Sequence, residues 1–129
     1  MSADFELEFC DTHVHLKHAP GYEITPENNE RLWAALATFC IEHHCLKVLS
    51  TAIKPQRKMG TLGAYRSGVT LSETGLHLKI ACVWEDYKTD DLTQFFENVS
   101  ENRGTKVRFF QDKEVALKWL ASSGGTLER

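Results

Sequence analysis

The chain has 129 residues, 42% of them hydrophobic and 26% charged, which is the size of one domain with a core of its own. A net charge of −3 argues against the basic stripe of a nucleic-acid groove; Lys54, Arg57 and Lys58, with Arg66 further on, form only a local patch. No apolar run approaches the roughly 20 residues that span a bilayer, and the acidic start, Met1 to Glu8, lacks the basic and apolar segments of a signal peptide, so a cytoplasmic location is expected.

Phe5, Leu7 and Phe9 alternate with Glu6 and Glu8, the period of a half-buried strand. After a turn at Cys10-Asp11, Val14 and Leu16 alternate with His13, His15 and Lys17, which predicts a second strand and a hairpin. Pro20-Gly21 breaks it. Thr25-Pro26-Glu27 starts a helix, with Thr as cap and Pro in the first turn. Leu32, Leu36, Phe39 and Cys40 line its inner face, and it ends near His43-His44.

Leu46 to Ile53 is apolar or small on both faces, as a central parallel strand should be. Lys54 to Gly60 reads as a polar loop. Met59, Leu62, Tyr65 and Val69 keep helical spacing, but Gly63 and Gly68 weaken that helix, so a short or imperfect one is expected. Leu76 to Trp84 is a strand with Leu78, Ile80, Cys82 and Trp84 on one face.

The C-terminal third is the clearest. Thr89 or Asp90 can cap a helix whose Leu92, Phe95, Phe96 and Val99 form one apolar stripe, and Arg103-Gly104 ends it. Thr105 to Phe110 is a strand rich in β-branched and aromatic residues. Asp112 caps a last helix with Val115, Ala116, Trp119 and Leu120 on its inner face. The order is ββαβαβαβα: an α/β fold with a single mixed, mostly parallel sheet, an N-terminal antiparallel hairpin and helices packed on its faces. Residues 1–121 form the domain, and 122–129, with Gly124-Gly125, read as a disordered tail.

Several segments carry a resemblance. They are Leu46-Lys-Val-Leu49, Leu62-Gly-Ala-Tyr-Arg66, Leu78-Lys-Ile-Ala81, Asn102-Arg-Gly104 leading into Val107-Arg-Phe-Phe110, and Asp112 to Leu120. With them the chain resembles the small STAS-like proteins of the bacterial anti-sigma-factor-antagonist, or SpoIIAA-like, fold. Signalling members of that family carry Asp-Ser-Ser/Thr-Gly at the start of the helix after the central strand, where a kinase phosphorylates a Ser or Thr. Here Leu62-Gly63-Ala64 matches the residues just after the signature, but Lys58-Met59-Gly60-Thr61 stands in the signature's place. The Asp is missing, Gly60 falls at the phosphoacceptor and Thr61 is one position off. The resemblance therefore implies a binding or regulatory module without the phosphoswitch.

The sharpest chemical string is Asp11-Thr-His-Val-His-Leu16. It looks like the first-strand metal motif of the amidohydrolase superfamily, where alternate strand residues aim two imidazoles at one metal. That barrel needs about 250 residues. His13 and His15 as the solvent face of a strand is the simpler reading, and a metal-dependent hydrolase using them is the rival. His18 and His77 could at most add a weak surface site. Cys40, His43, His44 and Cys45 crowd a helix end and read as packing and capping. Cys40 and Cys82 read as small buried hydrophobes, and no Cys-x-x-Cys pair occurs among the four cysteines.

Gly60-Thr-Leu-Gly63 lacks the spacing and the Lys-Ser/Thr ending of a phosphate loop, although a helix start can still hold a small anion. No Gly-x-Ser-x-Gly elbow exists, and no cofactor is expected. The best candidate site is the crevice at the C-terminal strand ends, where α/β sheets bind ligands. It would gather Ser50, Thr51, Lys54, Met59, Gly60, Thr61, Tyr65, Trp84 and Glu85 around a small molecule or anion. The hydroxyls of Ser50-Thr51 inside an apolar strand are the main hint, with ordinary backbone bonding as the plain alternative. The expected partner is a small molecule or a protein, and Phe5 to Phe9 as an edge strand could also pair across a homodimer.

Overall fold

The computed structural model describes residues 4–122. The strands are β1 (Phe5–Phe9), β2 (Val14–His18), β3 (Glu23–Ile24), β4 (Lys47–Ile53), β5 (Gln56–Arg57), β6 (Lys79–Glu85) and β7 (Lys106–Phe110). The helices are α1 (Pro26–His43), α2 (Thr61–Ser72), α3 (Asp91–Asn102) and α4 (Lys113–Ala121). The main sheet has the order β1-β2-β4-β6-β7, with β1 antiparallel to β2 and the other pairs parallel. This is the expected mixed sheet with its N-terminal hairpin.

The order explains the layers. The crossovers β2 to β4, β4 to β6 and β6 to β7 all step in one direction along the sheet. Crossovers of one hand stepping one way put their helices on one face, so α1, α2 and α3 share a side. Val14 and Leu16, Val48, Ile80 and Cys82, and Val107 meet them in the main core. α4 comes after the last strand and covers the other face, where Ala116 and Leu120 pack on Leu49 and Ala81.

Local signals hold at the helix ends. The Thr25 side chain accepts from Asn28 N at 3.0 Å, with Pro26 beginning the helix. Asp90 and Thr93 form a reciprocal cap on α3, and Asp112 accepts from Glu114 N. Gly104 lies just beyond α3 at φ +97°, the left-handed conformation that favours glycine, and a Cβ there would lie 2.6 Å from His77 Nδ1.

Three expectations are corrected. α2 is a regular helix of 12 residues, and its buried face is Ala64, Ser67, Gly68 and Leu71. Leu62 (80% exposed) and Tyr65 (43%) point outward. Gly68 is a packing position: a Cβ there would meet Val99 Cγ1 at 2.8 Å, so α3 can approach α2 only over a bare backbone. In α4 the seat of Ala116 and Leu120 turns Val115 outward, 49% exposed. Within the expected loop 54–60, β5 pairs in parallel with β3 as a second, two-stranded sheet.

The expected tail begins with Ser122, which is the C-cap of α4; residues 123–129 lie outside the described residues. Lys79, 2% exposed, reaches that cap from the start of β6. Its Nζ donates to Trp119 O at 2.7 Å, Ser122 O at 3.1 Å and Ser122 Oγ at 2.8 Å, and it sits 4.7 Å over the Trp119 ring. Among the described residues no helix is long and apolar enough to cross a membrane.

The glycine contact makes a stability prediction. Gly68→Val should cost about 1–3 kcal/mol or more by overpacking against Val99. Gly60→Val, with nothing within 4 Å of its Cβ, should cost much less. Urea midpoints of the two variants measure the contrast; equal midpoints would mean that α2 and α3 do not meet at Gly68.

Candidate functional site

Strand register assembles the site. Leu16, Ser50, Cys82 and Phe109 lie in one row across β2, β4, β6 and β7. Two residues on, toward the C-terminal strand ends, His18 and Trp84 face the same side. The N-terminal halves of α1, α2 and α3 roof this row. Ser50 and Cys82 below, with Ala64 and Ser67 above, are small, and a cavity of about 60 Å³ remains between the layers. Its walls are chiefly apolar, with Trp33, Trp84, Tyr87, Phe96 and Phe109 among aliphatic side chains such as Leu16 and Ile80.

The polar groups around it are held in place. Trp84 Nε1 donates to Ser50 Oγ at 3.1 Å. Asn29 Nδ2 and Trp33 Nε1 both donate to Ser67 Oγ, at 2.9 and 3.2 Å, and Tyr22 OH donates to Asn29 Oδ1 at 3.1 Å. Arg57 is the one cationic side chain among the lining residues. It is clasped by Asp90 in a bidentate pair of 2.9 and 2.7 Å. The Arg57 guanidinium, and then the Thr93 backbone N–H, hold the Asp90 carboxyl well below the usual range. Among the described residues no Asp or Glu lines the cavity.

His18 is the unusual member. It is 6% exposed, with its ring edge-on to Tyr22 at 4.7 Å and to Trp84 at 5.6 Å. Burial pushes its pKa down to about 4, against a smaller opposing effect of the Thr51 carbonyl. The ring is therefore neutral near pH 7. Nδ1 lies 3.0 Å from Thr51 O, and a carbonyl only accepts, so Nδ1 carries the proton. Nε2 is left as a bare acceptor.

The residues anticipated for one crevice separate. Ser50, Met59 and Trp84 line the cavity. Thr51, Trp84 and Glu85 border a shallower depression at the strand ends, beside Lys17 and Gln111. Ser50 and Thr51 point to opposite faces, as neighbours in a strand must; Thr51 Oγ1 lies 2.8 Å from His15 Nε2 on the α4 side. Lys54 is exposed in the turn after β4, and Gly60 and Thr61 open α2 at the surface. The outward Tyr65 OH accepts from Arg103 at 3.4 Å.

His18 does not extend the His13–His15 string. His15 and His18 fall on opposite faces of β2, and β2 is an interior strand between β1 and β4. Burial, and then the charge of Lys113, lower the pKa of His13, and the same two causes lead for His15. A lysine that close also repels a metal cation. Among the described residues no group of three or more His, Cys, Asp or Glu side chains is placed to hold a metal. Asn29, Ser67, Arg57, Tyr87 and Phe109 escaped the sequence reading, since single polar or aromatic residues on different elements carry no periodic or spacing signal.

No protein-family model matches the sequence, and no curated protein matches it significantly. Among solved structures, the chain is similar to an uncharacterised DUF3478-family protein from Shewanella loihica PV-4 with a SpoIIAA-like fold. The two share 16% sequence identity at a TM-score of 0.50, over 94% of this chain and 99% of that one. At that identity the likeness speaks for the fold alone, and it agrees with the sheet order and helix placement described above: the chain has a SpoIIAA-like α/β fold.

Proposed function

We propose that the chain is a non-enzymatic binding or regulatory module that takes a small apolar molecule between the sheet and α1–α3, without the phosphoswitch of STAS-like signalling proteins. The observation that carries this is the apolar-walled cavity whose one cation is already paired. Apolar surface buried there contributes about 25 cal/mol per Å². Its polar groups favour binding over catalysis. The Ser50 and Ser67 hydroxyls are engaged by indole and amide donors. Burial raises the Cys82 thiol pKa, which keeps it protonated and a poor nucleophile. Gly60 opens α2 where the family carries its phosphoacceptor, which supports the loss of the switch.

Native mass spectrometry of the protein purified from cells tests both parts. The expected spectrum shows a noncovalent small-molecule adduct that denaturing conditions remove, with no phosphate increment on the denatured chain. Ala64→Leu, which fills the cavity from α2, should lose the adduct. An adduct that survives Ala64→Leu, or stoichiometric phosphate on Thr61, would overturn the corresponding part.

A further inference from the structure

His18 lines the cavity with one ring nitrogen already committed to the Thr51 carbonyl. Among the described residues no group hydrogen-bonds His18 Nε2, although the side chain is almost wholly buried. An acceptor on a mostly buried ring that no protein group pairs is open to a solvent or ligand donor. The atom is also not sealed off. Ser100 Oγ is the one fully enclosed side-chain polar atom without a partner among the described residues, so Nε2 keeps some surface open to solvent. His18, together with Trp84, lines both the cavity and the depression at the strand ends. It therefore stands where a ligand entering from the strand ends would meet the cavity.

We infer that Nε2 of His18 is the recognition atom of this site, accepting a hydrogen bond from an O–H or N–H group of a small, uncharged and otherwise apolar molecule, such as an alcohol, a phenol or an indole. This rests on the binding reading given above and adds the chemical class. Three observations select that class. Nδ1 is committed to the Thr51 carbonyl, so the ring offers an acceptor and no donor. The walls are mostly aliphatic and aromatic side chains, which suit an apolar body. Anions find no counter-charge, because Asp90 occupies both guanidinium nitrogens of Arg57 that face it. A carboxylate would bring its lone pairs against the lone pair of Nε2.

Size sets a second condition. A dry cavity of about 150 Å³ is known to hold benzene, and this one encloses about 60 Å³. Ligands of a few heavy atoms fit the cavity as it stands. A ring-sized ligand extends toward the strand-end depression or displaces an aromatic wall.

The test is an amide and indole NMR titration at about pH 8, where an ordinary or lowered histidine is neutral. One probe set is 2-propanol, acetone and acetate; the other is phenol, toluene and benzoate. The Trp33 and Trp84 indole signals report the site. The expected result is that at least one hydroxyl compound binds about tenfold more tightly than its partner lacking the O–H, as one hydrogen bond to a buried acceptor implies, while neither carboxylate shifts the signals. His18→Leu should erase the preference and keep the toluene or acetone response. His18→Gln, which retains an acceptor, should preserve part of it. Equal binding within each pair, or a preference for the carboxylate, overturns this inference and leaves the binding reading standing. No response to any probe overturns both. The comparison within the native protein decides even if a variant fails to fold.

Discussion

Acidification from about pH 7 to about pH 5 should destabilise the protein by about 2 kcal/mol through His18 alone. The ordinary histidine pKa is near 6.5, and in the fold His18 sits at about 4. Between those values the unfolded chain binds the proton and the native chain does not. Stability from this group is therefore fully present above about pH 6.5 and falls as the pH drops toward 4. The surroundings give an imidazolium no relief: two aromatic rings stand edge-on, and the one partner is the Thr51 carbonyl. Urea titrations at the two pH values, on the native sequence and on His18→Gln, isolate the effect. His13 and His15 also have lowered pKa values, but they are common to both proteins and cancel. The same pH loss in His18→Gln would show that His18 is not the group responsible. The consequence for binding has the same sign, since protonated Nε2 can no longer accept a hydrogen bond.

Lys79→Met should cost about 2–4 kcal/mol, because hydrogen bonds to charged groups contribute about 1.5–3 kcal/mol each before desolvation is set against them. Its ammonium group has three donors and meets three acceptors at the end of α4. Burial, and then the charges of Lys47 and Lys106, pull its pKa down. The three acceptors and the negative end of the helix act the other way. Methionine fills nearly the same volume but leaves the Trp119 and Ser122 carbonyls without that partner. It also removes the cation over Trp119. Among the described residues α4 is the helix that covers the second face of the sheet, so loosening its end should expose Leu49 and Ala81. Lys88→Met, at an exposed position, should stay within about 0.5 kcal/mol. Equal urea midpoints for the two variants would sink the argument, and faster amide exchange in α4 of Lys79→Met would support it.

Much of this architecture is legible in the sequence because its signals are local. A Thr before Pro26, an Asp at 90 and another at 112 each satisfy backbone N–H groups within three residues, so the helix starts can be read without the fold. The alternation in β1 and the apolar run of β4 are equally local. Where sequence reading misplaces a face, the deciding contact is remote. Met59, Leu62, Tyr65 and Val69 are the more hydrophobic set in and before α2. Yet the helix turns its small side inward because Val99 needs the space above Gly68. β3 and β5 are two residues each, too short for any period to show.

The site divides along the same line. An alternating α/β pattern directs the search for a site to the C-terminal ends of the strands. That Ser50 faces the cavity under α1–α3 while Thr51 faces the α4 side is strand geometry, available as soon as the register is known. The five strands of the main sheet, the four helices and the local starts of α1, α3 and α4 were determined by the sequence itself. Only the tertiary structure decided which small residues face one another across the layers, that Asp90 takes up the charge of Arg57, and that the His18 ring spends its proton on a neighbouring strand. The last two depend on pairs 33 positions apart, the first on residues of different elements, and no local propensity encodes them.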